Sequence, residues 1–202
     1  MIIAFVGVDG AGKSTVIEGV KDCLESQNKK VLIYKSANKN TEFTKLLSLI
    51  KENCIQKESI VTKELNQIVA NMLAFQILCD SEKLKKLESE YDFILLDRWT
   101  CCQKIYDKIW FVWNGFIDEC LSNCLVPAQT FLITAEIKNI EERLEKRSQI
   151  KPTENILVLK RVKRQYERYA EEKQWNVINN DQKISDTIEH VNQILRGLVT
   201  CY

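Results

Sequence analysis

Short apolar runs alternate with segments of helical periodicity along most of this chain. The runs are unalternated and rich in β-branched or aromatic side chains, which is typical of strands buried on both faces. They are Ile2–Val6, Val31–Tyr34, Phe93–Leu96, Thr130–Ile133 and Trp175–Ile178. Apolar residues at helical spacing lie between and after them, within 16–24, 46–50, 69–78 and 184–195. The alternation requires right-handed crossovers and predicts an α/β fold of three layers, with a parallel sheet covered by helices on both faces.

Composition places the chain among ordinary globular proteins. It has 202 residues, 45% of them hydrophobic and 28% charged, and it contains no Gly/Ser/Pro linker, repeat or low-complexity tract. One domain over residues 1–202 is therefore expected, and disordered and collagen-like classes are excluded. The net charge of +1 gives no global basic excess, so we expect neither nucleic acid nor a membrane as a partner.

The N-terminus and the cysteines bear on the compartment. Met1–Val8 is apolar, but it lacks a basic n-region and is too short for a secretory signal or a spanning helix. Eight cysteines in a chain of this size, without a signal, are expected to be reduced thiols. No CxxC pair exists and the only histidine is His190, which argues against zinc. A cytoplasmic protein is expected.

Half of the glycines fall in one loop near the N-terminus. Of six glycines, three lie in Gly7–Ser14, which reads GVDGAGKS and fits the pattern GxxxxGK[ST]. The loop follows an apolar strand and opens an amphipathic helix, so its backbone N–H groups and the helix N-terminus can hold a phosphate. Lys13 would reach the β- and γ-phosphates of ATP, and the Ser14 hydroxyl would ligate Mg²⁺. The predicted nucleotide-binding residues are Gly7, Asp9, Gly10, Ala11, Gly12, Lys13, Ser14 and Thr15.

The strand Phe93–Leu96 ends in a charged dipeptide. Asp97 would lie beside the phosphate loop at the carboxyl edge of the sheet, where it could serve as a second Mg²⁺ ligand. Arg98 follows it directly and is a candidate catalytic cation. An ordinary ion pair at the end of a strand is the competing interpretation.

A basic cluster surrounds the polar segment Arg147–Glu154. Arg143 and Arg147 are four residues apart, so on one helix face they could close over a triphosphate. We therefore expect a mobile lid at about 143–154 with both arginines in catalysis. A solvated helix face is the alternative, and it is the favoured interpretation for most of the downstream basic residues, which are Lys160, Arg161, Lys163, Arg164 and Arg168.

Together these residues resemble the thymidylate kinase family. The resemblance rests on Phe5–Thr15, on Asp97-Arg98-Trp99 and on the arginine-bearing lid, and Thr41–Leu47 and Trp175–Asn179 also fit. It implies a phosphate-loop kinase that transfers the γ-phosphoryl group of ATP to dTMP with Mg²⁺. It also implies a homodimer built on a five-stranded parallel sheet.

Site residues can be carried over from the resemblance one at a time. Asp9 matches a loop carboxylate near the sugar of the monophosphate, and Arg98 matches an arginine that binds the phosphates. Phe75 matches an aromatic that stacks on the base, with a core phenylalanine as the alternative, and Tyr106 matches an aromatic near the base. Gly10 stands where one subgroup has a loop arginine, and the lid supplies the transition-state cations in the subgroup that lacks it.

The acceptor half departs from the family pattern. The arginine expected after the Phe75 segment is replaced near Cys79-Asp80, and a serine pair becomes Cys101-Cys102. Lys35 and Lys39 are the candidate substitute cations for the acceptor phosphate.

The chemistry nevertheless favours a monophosphate acceptor. Lys35–Thr41 contains no carboxylate to serve as the base that a nucleoside hydroxyl needs, whereas a monophosphate is largely dianionic at pH 7. A deoxynucleoside kinase and a catalytically weak nucleotide-binding regulatory homologue remain alternatives.

Overall fold

A single parallel sheet forms the centre of the molecule. The computed structural model describes residues 1–36, 61–146 and 155–199. Within these ranges the sheet has five strands in the order β2-β3-β1-β4-β5, so the predicted fold class is confirmed. The strands are β1 (Ile2–Val6), β2 (Val31–Tyr34), β3 (Phe93–Asp97), β4 (Gln129–Thr134) and β5 (Asn176–Asn179). Strand β5 begins and ends one residue later than its apolar run.

Seven helices connect or follow the strands within the described residues. They are α1 (Lys13–Ser26), α2 (Val61–Leu87), α3 (Thr100–Ile109), α4 (Gly115–Ser122), α5 (Ile137–Glu145), α6 (Ile156–Lys173) and α7 (Ile184–Val199). The predicted helices within 16–24, 69–78 and 184–195 correspond to α1, α2 and α7. Helices α3 and α4 are short and carry few buried apolar positions, so periodicity did not reveal them. The predicted helix at 46–50 lies outside the described residues.

Side chains of the central strands alternate between two hydrophobic layers. Ile3 and Phe5 of β1 pack on one side, where α1, α6 and α7 cover the sheet. Ile2 and Ala4 point to the other side, where they pack with α2 and α4. Burial of a large aliphatic side chain contributes about 1.5–3 kcal/mol, so both layers stabilise the sheet from which the loops project.

The carboxyl ends of three neighbouring strands, β2, β3 and β1, meet at one edge. In the register of β2 with β3, Tyr34 faces Leu96, so the next residues, Lys35 and Asp97, lie side by side. Phe5 of β1 faces Asp97, which brings the loop after β1 to the same place. In open parallel sheets this edge is where ligands bind.

None of the described helices combines the length and the apolar character needed to cross a membrane. The described cysteines are free thiols, namely Cys23, Cys79, Cys101, Cys102, Cys120 and Cys124.

Candidate active site

The loop after β1 has a backbone that glycine alone adopts easily. Gly7, Gly10 and Gly12 have φ angles of 139°, 85° and 91°, in the left-handed range. A Cβ on Gly7 would lie 2.2 Å from the carbonyl oxygen of Ile133, and one on Gly12 would lie 2.2 Å from Asn180 Nδ2. The loop is therefore packed tightly between the ends of β4 and β5, as expected of a rigid phosphate cradle.

Gly10 lies directly beneath helix α5. A Cβ there would lie 2.9 Å from Ile140 Cγ2 and 3.0 Å from Leu144 Cγ. The buried side chains of Ile140 and Leu144 thus fill the space above the loop, and no arginine could extend from this position without displacing the helix. The absence of a loop arginine therefore has a structural cause.

Lys13 is the first residue of α1 and is almost fully buried. Its Nζ donates a hydrogen bond of 2.8 Å to the carbonyl oxygen of Val8, across the loop. Burial, together with the nearby charge of Arg98, lowers the pKa of Lys13 to about 7. An anion placed in the loop would reverse this effect, because it would stabilise the charged ammonium group.

Asp97 ends β3 as predicted and is buried. Lys35 Nζ lies 2.8 Å from Asp97 Oδ2, and Ser14 Oγ lies 3.5 Å from the same oxygen. One hydroxyl and one carboxylate beside a phosphate loop form a donor set that fits Mg²⁺, which takes one or two carboxylates plus substrate phosphates. Of these two groups, it is the carboxylate that Lys35 contacts.

Arg98 and Asp9 form an ion pair in which both side chains are largely shielded from water. Arg98 has a φ of 78°, which a non-glycine residue adopts only when its surroundings require it. Next to it, Trp99 is buried and donates from Nε1 to the carbonyl oxygen of Leu125 at 3.0 Å, which anchors the turn. Arg98 Nη1 also lies 3.4 Å from the carbonyl oxygen of Gly7. The strained turn thus directs the guanidinium toward the phosphate loop.

Two phenols and a thiol surround the Arg98 guanidinium. The hydroxyl groups of Tyr106 and Tyr166 are buried and have no hydrogen-bond partner among the described residues. Burial raises the pKa of both phenols. Burial opposes ionisation of Cys102, but the hydrogen bond from Cys101 and the charge of Arg98 lower its pKa to about 6.

Arg143 connects the loop with the far end of the sheet. Its Nη2 donates to the carbonyl oxygen of Asn180 at 2.7 Å, and its Nη1 lies 3.5 Å from the carbonyl oxygen of Gly10. Asn180 is itself buried and donates from Nδ2 to the carbonyl oxygen of Ala11 at 2.8 Å. These hydrogen bonds hold Arg143 against the phosphate loop. Arg147 and the rest of the predicted lid, 147–154, lie outside the described residues.

Comparison with known proteins agrees with this geometry. The family model described as thymidylate kinase matches residues 5–191. A protein of Sulfurisphaera tokodaii described as a probable thymidylate kinase is 24% identical over 199 residues, which cover 98% of this chain and 97% of the relative.

The chain belongs to the thymidylate kinase family.

Family membership confirms the prediction of an enzyme that acts as a nucleotide kinase. The predicted phosphate-loop residues, Asp97, Arg98, Lys35 and Arg143 all lie at one edge of the sheet. Their individual roles stay predictions.

A second polar cluster joins β2 to α2 in this family member. The buried carboxylate of Asp80 accepts hydrogen bonds from Tyr34 Oη at 2.8 Å, Ser36 Oγ at 2.8 Å and Gln76 Nε2 at 2.9 Å. Tyr34 and Ser36 flank Lys35 on both sides. Because side chains alternate along an extended segment, fixing these two on α2 leaves Lys35 directed at Asp97. No sequence motif around Asp80 reveals this role.

Phe75 lies away from both hydrophobic layers. Its side chain is 54% exposed, whereas its neighbours Ala74 and Ile77 are buried against the sheet. The alternative of a core phenylalanine is therefore wrong for Phe75. Its proposed stacking on a base stays a prediction, and Lys39, the other substitute cation, lies outside the described residues.

Proposed function

We propose that this nucleotide kinase transfers the γ-phosphoryl group of ATP to dTMP or a closely related pyrimidine deoxynucleoside monophosphate. The observation that carries the proposal is a pair of cations, Lys35 and Arg98, at the sheet edge beside the phosphate loop. Asp97 holds the first and Asp9 the second. The loop serves one phosphate chain, so these two cations are available to a second phosphate group on the acceptor.

The state of the carboxylates supports a monophosphate acceptor over a nucleoside. A nucleoside hydroxyl must lose its proton to a general base in the transition state. At this edge, the carboxylate of Asp97 contacts Lys35, and that of Asp9 contacts Arg98. Each of these carboxylates is engaged by a cation, so neither is positioned as a general base. A monophosphate dianion needs no general base, so positioning and neutralisation of charge are sufficient for catalysis.

Each residue can be given a role in that reaction. Lys13 and the loop N–H groups would bind the ATP phosphates, and Arg143 would neutralise charge that develops on the transferred group. Ser14 and Asp97 would hold Mg²⁺, which when bound neutralises charge on the β- and γ-phosphates. Tyr106 would contact the acceptor beside Arg98, where its buried hydroxyl has no partner among the described residues.

Coupled measurement of ADP release with a panel of acceptors tests the proposal. We expect turnover with dTMP or another pyrimidine deoxynucleoside monophosphate and none above background with thymidine. Turnover with thymidine and not with dTMP would instead identify a deoxynucleoside kinase. Tight ATP binding with no turnover for any acceptor would identify the regulatory homologue.

A homodimer is also part of the proposal. Ile68 and Phe75 are 53% and 54% exposed and lie seven residues apart, so they share one face of α2. An apolar face of this kind supports contact with a second copy.

Phe75→Ala separates the two proposed roles of this residue, which are base stacking and the dimer contact. Loss of base stacking raises the KM of the acceptor at unchanged mass, whereas loss of a dimer contact halves the mass in sedimentation.

A further inference from the structure

A second cationic cavity lies between α3 and α6, apart from the phosphate loop. Its volume is about 500 Å³, within the range of small-molecule sites. Ile105 and Ile109 of α3 form an apolar part of the lining, and Phe111 and Tyr169 contribute aromatic rings. None of the loop residues, and neither Asp97 nor Arg98, lines this cavity.

Four basic side chains converge on the cavity. Arg161, Arg164 and Arg168 occupy one face of α6, because they are separated by three and four residues, and Lys108 faces them from α3. No aspartate or glutamate is among the described lining residues. Among the described residues, no carboxylate lies within ion-pair distance of these three arginines. Glu167, on the same helix, pairs instead with Lys163. The cavity therefore holds an uncompensated positive charge.

The turn after α3 places an aromatic ring at the mouth of this cavity. Phe111 has a φ of 57°, an unfavourable value for a bulky side chain, and it is 81% exposed. Its amide donates to the carbonyl oxygen of Lys108 at 3.3 Å, and the amide of Val112 donates to that of Asp107 at 2.9 Å. Backbone strain of this kind is commonly retained where a side chain serves a ligand. Tyr169, on the opposite wall, is fixed by stacking on Trp175.

We infer that this cavity is a binding site for a free nucleoside polyphosphate, distinct from the nucleotide site at the phosphate loop. Guanidinium groups bind phosphates bidentately, and three of them with one ammonium group match a chain of two or three phosphates. A base can stack on the exposed ring of Phe111, since aromatic rings accept any base face. The volume of about 500 Å³ matches a small ligand better than a nucleic acid strand. The inference does not depend on which acceptor the kinase uses.

Calorimetric titration with a non-hydrolysable ATP analogue tests the inference. The titration is done on the Lys13→Ala variant, in which binding at the phosphate loop is weakened. One equivalent of analogue that still binds to this variant is then assigned to the cavity. Adding Arg161→Ala, Arg164→Ala and Arg168→Ala should weaken this remaining binding by at least about tenfold. The matched control removes three exposed charges outside the cavity, with Lys160→Ala, Lys173→Ala and Lys183→Ala, and should retain it.

Inorganic tripolyphosphate and Phe111→Ala probe the two halves of the ligand. The Phe111→Ala variant should lose affinity for the nucleotide analogue while its affinity for tripolyphosphate stays the same. An equal loss of affinity in the triple arginine variant and the triple lysine variant would overturn the inference, because it would show that general charge attraction holds the analogue. Absence of any remaining equivalent in the Lys13→Ala background would overturn it too. If single-stranded RNA displaces the analogue at a lower concentration than ATP does, the inference of a nucleotide ligand is wrong and the site binds RNA.

Discussion

The ammonium group of Lys35 lies 2.8 Å from Asp97 Oδ2, although the two residues are 62 positions apart. They come together because β2 and β3 are parallel and Tyr34 pairs with Leu96, so the residues that follow these two lie side by side. Mg²⁺ bound by Asp97 would compete with Lys35 for the same carboxylate. Lys35 would then be released toward the acceptor.

The first prediction concerns Lys35→Met. Removing this cation should raise the KM of the monophosphate acceptor at least about tenfold, since a hydrogen bond to a charged group contributes roughly 1.5–3 kcal/mol. The KM of ATP should change much less. Steady-state kinetics with each substrate varied in turn checks this, with the exposed Lys29→Met as a control that alters neither constant. Equal KM values for the acceptor in Lys35→Met and Lys29→Met would contradict the role.

The second prediction concerns the protonation of Lys13. With a pKa of about 7 in the free protein, its amine is mostly neutral at about pH 8.5. A bound triphosphate raises that pKa, so binding of an ATP analogue at this pH should take up nearly one proton. Calorimetry in buffers of different ionisation enthalpy measures the uptake. At about pH 6 Lys13 is already charged and its uptake should vanish. Binding without proton uptake at the higher pH would show that Lys13 is charged in the free loop.

The third prediction compares two glycines. Gly10→Ala places a Cβ about 3 Å from Ile140 and Leu144 in a left-handed backbone, whereas a Cβ on Gly115 meets nothing within 4 Å. Gly10→Ala should therefore lower the free energy of unfolding by about 1–3 kcal/mol, and Gly115→Ala should leave it unchanged or raise it slightly. Thermal and urea unfolding of both variants decides. Similar stability for the two would mean that α5 moves away from the loop at little cost.

The fourth prediction concerns the buried carboxyl of Asp107. One oxygen accepts from Gln103 Nε2 at 2.7 Å, and the other has no partner among the described residues. Burial raises the pKa of Asp107 to about 6, above its ordinary value of 3.8. The folded chain therefore holds the proton more tightly than the unfolded chain. The contribution of Asp107 to stability is present below about pH 4 and is lost as the pH rises to about 6.

Asp107→Asn should consequently stabilise the protein by about 1–3 kcal/mol at pH 7, and the gain should disappear near pH 4. Urea unfolding at both pH values measures the difference. The exposed Asp118→Asn serves as the control and should not give this gain at pH 7. A gain for Asp107→Asn that is equal at both pH values would rule out the titration as its cause.

Local pattern was sufficient for the sheet and for the loop. All five apolar runs form strands, but only β1 and β3 are buried throughout, whereas the edge strands β2 and β5 are partly exposed. Gly7–Ser14 carries its geometry in its own residue types. The pairing of Lys35 with Asp97 could also be deduced, because both residues follow apolar runs of four residues in parallel strands. These features depend on neighbours in sequence or on the register of adjacent strands.

Other site residues depend on packing between distant elements. Asn180 carries no motif, and its bond to Ala11 joins residues 169 positions apart. Asp80 acquires its three donors only when α2 packs against the end of β2. The arginines of α6 fit a solvated face by spacing alone, and the cavity beside them exists because α3 and the Phe111 turn approach that face.

The link between Asn180 and Ala11 has a consequence for how the protein is made. The phosphate motif is translated long before the side chain that supports the Ala11 carbonyl, because Asn180 lies 169 positions after Ala11. Arg143 likewise needs the Asn180 carbonyl to hold it against the loop. A nascent chain that ends before Asn180 thus carries the whole motif but lacks the two hydrogen bonds that join Asn180 to Ala11 and to Arg143.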